Sequence, residues 1–158
     1  MEFTKGNLFD SNSEALVNTV NTMGVMGKGV ALQFKERYPM NYNLYKSACK
    51  RGEVKIGEMF ITATNSMMDP KWIINFPTKQ HWMHSSSYTY IEKGLNDLVK
   101  QIESLGIQSI AIPPLGTGQG GLQWDRVKLI IEEKLSHLKI DIKVFEPIEG
   151  VKSTSKEL

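Results

Sequence analysis

Two glycine-rich segments, Met23–Gly29 (MGVMGKG) and Leu115–Gly121 (LGTGQGG), hold the residues whose type and spacing most suggest chemistry. Glycine permits a positive φ and lets backbone N–H groups approach a ligand with no Cβ in the way. Each segment lies between a strand-like apolar run and a helix-like stretch, so its amides would sit beside a helix N-terminus, a place where phosphate binds. Two such loops can grip a diphosphate from both sides; the alternative is that each is only a tight turn. The second loop formally fits G-x-G-x-x-G through Gly116, Gly118 and Gly121, with Asp141 twenty residues on. It fails as a dinucleotide fingerprint, because Pro113 and Pro114 precede the glycines and the helix starts only near Asp125. The first loop fails as a triphosphate loop, since Gly27-Lys28 is followed by Gly29 and not by a magnesium-holding Ser or Thr.

Between the loops, Asn75-Phe-Pro-Thr-Lys79 ends an apolar strand at a proline. That presents the Lys79 ammonium at the strand's C-terminal edge, where open α/β sheets bind ligands; a solvated surface lysine is the plain alternative. Asn21 closes another apolar strand, and a neutral amide there can hydrogen-bond hydroxyl groups in fixed geometry. Downstream of Lys79, the residues His81, Trp82, His84, Tyr88 and Tyr90 form an aromatic, partly basic stretch. Stacking of single-stranded bases on such side chains is worth ~1–3 kcal/mol per base, although Trp82 covering the core edge beside solvated histidines explains it as well. Lys46, Lys50, Arg51 and Lys55 make a basic patch interrupted by Glu53, a site for phosphates or merely a solvated helix end.

The elements that must position these residues alternate. Ala15–Val20, Met59–Thr62, Trp72–Phe76, Ser109–Ile112 and Ile142–Phe145 read as buried strands, and Phe3–Leu8 as a further edge strand. Ile91, Leu95, Leu98, Val99, Ile102 and Leu105 form one helical stripe, with a Thr89/Glu92 capping box and Gly106 as its end. A second helix follows Asp125 as N-cap and runs through Val127, Ile130, Ile131, Leu135 and Leu138. Two more are expected at Lys28–Arg37, closed by Pro39, and Pro39–Lys50, closed by Gly52. Such alternation predicts a three-layer α/β/α sandwich.

Composition narrows the function classes. The 158 residues fit one domain, with residues 1–148 as the folded unit and the polar stretch 149–158 as a tail or linker. One cysteine, Cys49, and three histidines are too few for a four-ligand zinc site, and Cys49 reads as packed. No apolar run approaches the ~18 residues of a membrane span, and no signal-peptide layout opens the chain, so a cytoplasmic protein is expected. A net charge of +2 argues neither for nor against nucleic acid.

Gly6-Asn7-Leu8, Ala15–Asn21, Gly24–Gly29 and Pro114–Leu122 together resemble a macro domain, the ADP-ribose-binding fold. More narrowly, VNTVNTMGVMGKGVALQFK, INFPTKQHW and PPLGTGQGGLQW resemble the DarG family, antitoxin macro domains that remove ADP-ribose from thymidine in DNA; the likeness spans roughly residues 3–147. The resemblance implies a mixed central sheet. It also implies that Asn7 and Leu8 read the adenine, Asn7 having a turn or cap role as its alternative, and that Phe145 is near the adenine or simply in the core. Thr19, Val20, Asn21, Gly27 and Gly29 should surround the distal ribose and one phosphate. Thr78, Leu115, Gly116, Thr117, Gly118, Gln119 and Gly120 should complete the ADP-ribose site, and His81 and Trp82 are candidates for DNA contact.

The same resemblance makes Lys79 catalytic, with Asn21 fixing the ribose. The related terminal ADP-ribose protein glycohydrolase carries a catalytic Asp in the phosphate loop, where this chain has Gly120. Implied partners are ADP-ribosylated single-stranded DNA and a cognate DNA ADP-ribosyltransferase toxin, the latter mainly through a C-terminal region not in this chain. No cofactor, metal or membrane is implied, and a monomer is expected. A protein or O-acetyl-ADP-ribose hydrolase of the same fold, or a non-catalytic ADP-ribose reader, are the competing readings.

Overall fold

A computed structural model of the chain describes residues 1–148, so the tail expected at 149–158 lies outside the described residues. Strands β1 (Glu2–Thr4), β2 (Ala15–Asn21), β3 (Phe60–Ala63), β4 (Trp72–Lys79), β5 (Ser109–Ile112) and β6 (Asp141–Phe145) form one sheet in the order β1-β6-β5-β2-β4-β3. All neighbouring pairs are parallel except β3 with β4, so the sheet is mixed. Side chains alternate along the strands. Val17, Ile74, Phe76, Ile110 and Ile112 face helices α3 (Tyr88–Leu105) and α4 (Trp124–Leu135). Leu16, Ile73 and Ala111 pack with Phe34 of α1 (Gly29–Arg37), while Val20 joins Tyr45 and Ala48 of α2 (Pro39–Lys50) on that side. The outcome is the three-layer α/β/α sandwich that the alternation predicts.

Several boundaries differ from the sequence reading, each for a local reason. Pro77 does not end its strand: β4 continues to Lys79. Pairing with β3 stops at Phe60↔Asn75, so beyond it β4 is flanked on one side only, where proline's missing donor is tolerated. Instead of a strand over Phe3–Leu8, a short β1 is followed by a 3-10 turn, Leu8–Asp10, capped by Asn7. Helix α3 is capped by Ser87, whose Oγ accepts from the Tyr90 N–H at 3.3 Å, which leaves Thr89 inside the first turn. Helix α4 starts one residue before Asp125, with Gln123 as N-cap, and Leu138 lies past its end. Gly106 closes α3 in the left-handed conformation at φ +64°, as its position predicts.

Polar atoms are also buried in the sheet. The Asn75 Nδ2 donates to Asn41 Oδ1 at 2.8 Å and to Phe60 O at 3.0 Å, while Asn75 Oδ1 accepts from Asn18 and Asn41 Nδ2, both at 3.1 Å. Thr62 Oγ1 donates to Asn41 Oδ1 at 2.7 Å. This network joins β2, β3, β4 and α2 through residues that water scarcely reaches.

Gly94 is the one place in α3 where a side chain is sterically forbidden. A Cβ there would lie 2.2 Å from the Phe76 ring. Gly94→Ala is expected to lower stability by about 1–3 kcal/mol, overpacking outweighing alanine's helix preference of ~1 kcal/mol; chemical denaturation measures this, and an unchanged midpoint contradicts the packing.

Candidate active site

Strands β2 and β4 pair in register from Ala15↔Trp72 to Val20↔Pro77, then shift, so that Asn21 pairs with Lys79. Thr78 is the extra residue of this bulge. The Thr22 N–H donates to Lys79 O at 3.1 Å and the Thr22 hydroxyl to Gln80 O at 2.8 Å, which prolongs the seam past the strand ends. Asn21 and Lys79, distant in sequence, therefore stand side by side. The connection after β2 leads to α1 on one face and that after β5 to α4 on the other, and such a switch in an α/β sheet opens a crevice.

Lys79 is half-buried, and its Nζ donates to Trp82 O at 3.0 Å. Burial lowers its pKa below the usual lysine range, and the Lys28 charge on the first glycine loop lowers it further. An ammonium so placed loses its proton more readily than a surface lysine. Residues 81–84 fold into a tight turn in which Met83 N–H donates to His81 Nδ1 at 3.1 Å and His84 N–H to His81 O at 3.0 Å. The His81 and Trp82 rings stack at 5.5 Å and 26°, and Trp82 is 50% exposed. Tyr88 stands apart from this platform: its hydroxyl accepts from the Gln123 N–H at 3.1 Å and the Arg126 guanidinium lies 3.9 Å over its ring.

Asn21 is not the free amide that the sequence reading expects at the ribose. Its Oδ1 accepts from Met23 N–H at 2.9 Å, Val25 N–H at 3.4 Å and Tyr45 OH at 3.0 Å, and its Nδ2 donates to Val25 O at 2.9 Å. The carboxamide shapes the first loop. Thr19 is half-buried, and Val20 packs beneath that loop with Met26. Gly24 is buried, with its Cβ position 3.5 Å from Cys49 Cβ, so α2 backs the loop closely. Gly27, Lys28 and Gly29 are exposed at the start of α1, and among the described residues their N–H groups meet no acceptor.

The second loop is drawn tight. Gly116 (φ +71°) accepts at its O from Leu122 N–H at 2.9 Å, the Thr117 hydroxyl donates to Pro114 O at 2.9 Å, and Leu115 is in the core. Among the described residues, the N–H groups of Gly118, Gln119 and Gly120 meet no acceptor, which leaves successive amides for an anion. A Cβ on Gly120 would come 2.5 Å from Gly116 O, so no aspartate fits there without opening the loop. Ser86 N–H donates to Gly120 O at 2.9 Å and ties the loop to the approach of α3.

The remaining candidates lie on other elements or in the seam itself. Asn7 Oδ1 caps the 3-10 turn by accepting from Phe9 N–H at 3.0 Å, the cap role left open above, and Leu8 and Phe145 share a core cluster with Phe34. Thr78 is buried in the bulge. Within the basic patch, Arg51 and Glu53 form an exposed ion pair at 3.0 Å. Sequence reasoning missed Tyr45, although Asn41, Tyr45 and Ala48 recur at helical spacing on the buried face of α2. It also missed Lys28 as a neighbour of Lys79, for which no local signal exists.

The profile of the macro domain family matches residues 17–131. The DNA ADP-ribosyl glycohydrolase of Thermus aquaticus is 52% identical over 156 residues, covering 98% of this chain and 43% of that protein. The solved macrodomain of Mycobacterium tuberculosis DarG superposes with a TM-score of 0.92 at 49% identity, covering 93% of this chain and 97% of that one. A DNA ADP-ribosyl transferase–DNA ADP-ribosyl glycohydrolase fusion protein of Thermosipho africanus is 34% identical over 94% of this chain and 42% of its own. The chain thus spans less than half the length of these two curated relatives.

Removing the Lys28 charge by Lys28→Gln is expected to raise the Lys79 pKa, because a neighbouring cation disfavours the protonated ammonium. An NMR titration of the Lys79 side chain in both proteins measures this. A pKa that stays or falls contradicts the proximity of the two lysines.

Proposed function

Because the chain belongs to the macro domain family, we propose that it is a DNA ADP-ribosyl glycohydrolase that releases ADP-ribose from thymidine in single-stranded DNA. The observation that carries this reading is the pairing of Asn21 with Lys79 between two loops of unengaged amides. A passive ADP-ribose reader needs the loops but has no use for a half-buried lysine of lowered pKa at the strand end. The names of the bacterial relatives support ADP-ribosylated DNA as the substrate, and the fused relative supports a DNA ADP-ribosyl transferase as partner. Among the described residues no helix is long and apolar enough to cross a membrane.

The reaction breaks the bond between ribose C1 and the thymine nitrogen. The electron pair leaves with thymine, water oxygen joins C1, and a water proton ends on the thymine nitrogen. Its transition state has oxocarbenium character, as in other glycoside cleavages. The loop amides hold the diphosphate away from the breaking bond, and that remote binding fixes the distal ribose beside Lys79. Lys79 acts as base, as neutral nucleophile or as support for the departing thymine. It acts without an aspartate at position 120, since Gly116 O occupies that space. Trp82, stacked on His81 and half exposed, offers a face to a neighbouring base.

Lys79→Ala is expected to slow release of ADP-ribose from a modified thymidine oligonucleotide by at least ~100-fold, while calorimetry finds free ADP-ribose bound within a few-fold of wild type; full turnover removes Lys79 from the mechanism. Trp82→Ala should raise KM for the oligonucleotide about tenfold through lost stacking, leaving hydrolysis of a modified mononucleoside unaffected. Clearance of ADP-ribosylated protein but not of the oligonucleotide sinks the DNA assignment.

A further inference from the structure

Tyr45 is fully buried on α2, yet its hydroxyl reaches the end of β2: it lies 2.7 Å from Asn21 O and 3.0 Å from Asn21 Oδ1. Burial, and next the neighbouring Cys49, push its pKa far above the ordinary phenol range, so it is always a donor at working pH. Four residues earlier on the same helix face, Asn41 exchanges hydrogen bonds with Asn75 of β4 at 2.8 and 3.1 Å. One turn of α2 therefore grips both strands whose ends carry Asn21 and Lys79.

We infer that Tyr45 is a positioning residue for the reaction: its hydroxyl fixes Asn21 against Lys79 and determines how the Asn21 carboxamide meets the sugar. The Met23 and Val25 N–H groups already occupy the two lone pairs of Oδ1, and the single Tyr45 hydroxyl hydrogen is shared between that oxygen and the Asn21 main-chain O. Nδ2 spends one hydrogen on Val25 O and keeps the other. Asn21 is thus a donor toward the substrate, suited to a sugar oxygen, and cannot accept from a sugar hydroxyl. The role of the pair in turnover rests on the function proposed above, whereas the geometry of the clasp does not.

Tyr45→Phe deletes only the hydroxyl and keeps the ring in its pocket. In a variant whose melting curve confirms folding, kcat on the ADP-ribosylated oligonucleotide should fall about tenfold, the worth of one hydrogen bond, with KM within about twofold. In an Asn21→Ala background the same deletion should cost clearly less, because only the hydrogen bond to the main-chain O of residue 21 is left to lose. Wild-type kcat in Tyr45→Phe, or an equal loss with Asn21 already removed, overturns the inference. A wild-type protein inactive on the oligonucleotide counts against the functional reading alone. The Asn21 side-chain amide resonances then decide: they should shift in Tyr45→Phe, and an unmoved pair overturns the clasp.

Discussion

Everything at the site hangs on the seam between β2 and β4. Six register pairs align these parallel strands, and a single bulge at Thr78 then sets Lys79 opposite Asn21. Without the bulge, the period of two along a strand would bring Thr78 opposite Asn21 and turn Lys79 to the other face. The seam is central in the sheet, with β5 beyond β2 and β3 beyond β4, and helices cover both faces. Asn21 and Lys79 themselves lie past both flanking ladders, so it is their pairing with each other and the elements packed on the seam that hold them.

The elements around the seam are specialised for holding it. On one face, Gly94 brings α3 onto the Phe76 ring, an approach no larger residue permits. On the other, α2 reaches in with Asn41 and Tyr45 and satisfies polar groups that the sheet leaves buried. Such a network is costly when incomplete and specifying when filled. It is filled here except at Asn18 Oδ1, which has no partner. Charge contributes little to the architecture: among the described residues the ion pairs are Arg51–Glu53 and Lys128–Glu146, both reachable by solvent.

Much of this was legible in the sequence. Apolar runs located all of the main strands, Pro39 and Gly106 marked helix ends, and two glycine-rich loops fell between strand and helix as expected. What escaped was non-local. The continuation of β4 through Pro77 depends on where its neighbour β3 stops pairing, which no window of residues reveals. Ser87 outcompeted Thr89 as a cap because both have the chemistry and only the path of the chain chooses. Asn21 was singled out, but its carboxamide is taken up by Met23, Val25 and Tyr45, a partner set scattered over two elements. The block that named the family carried Lys79, whereas the lysine that tunes it, Lys28, reaches it only through the fold.

The loops that face the crevice with bare backbone amides have a further consequence. A peptide N–H does not gain or lose a proton at any pH a cell meets, and its partial charge is the same in acid as in base. Lys79 does titrate. Under the proposed function, grip on a diphosphate and reactivity at the glycosidic bond would therefore answer to different solution variables, one nearly constant and the other adjustable. On that reading, retention of the product would follow the constant one, so acidity would change how fast the site turns over more than how firmly it holds what it has made.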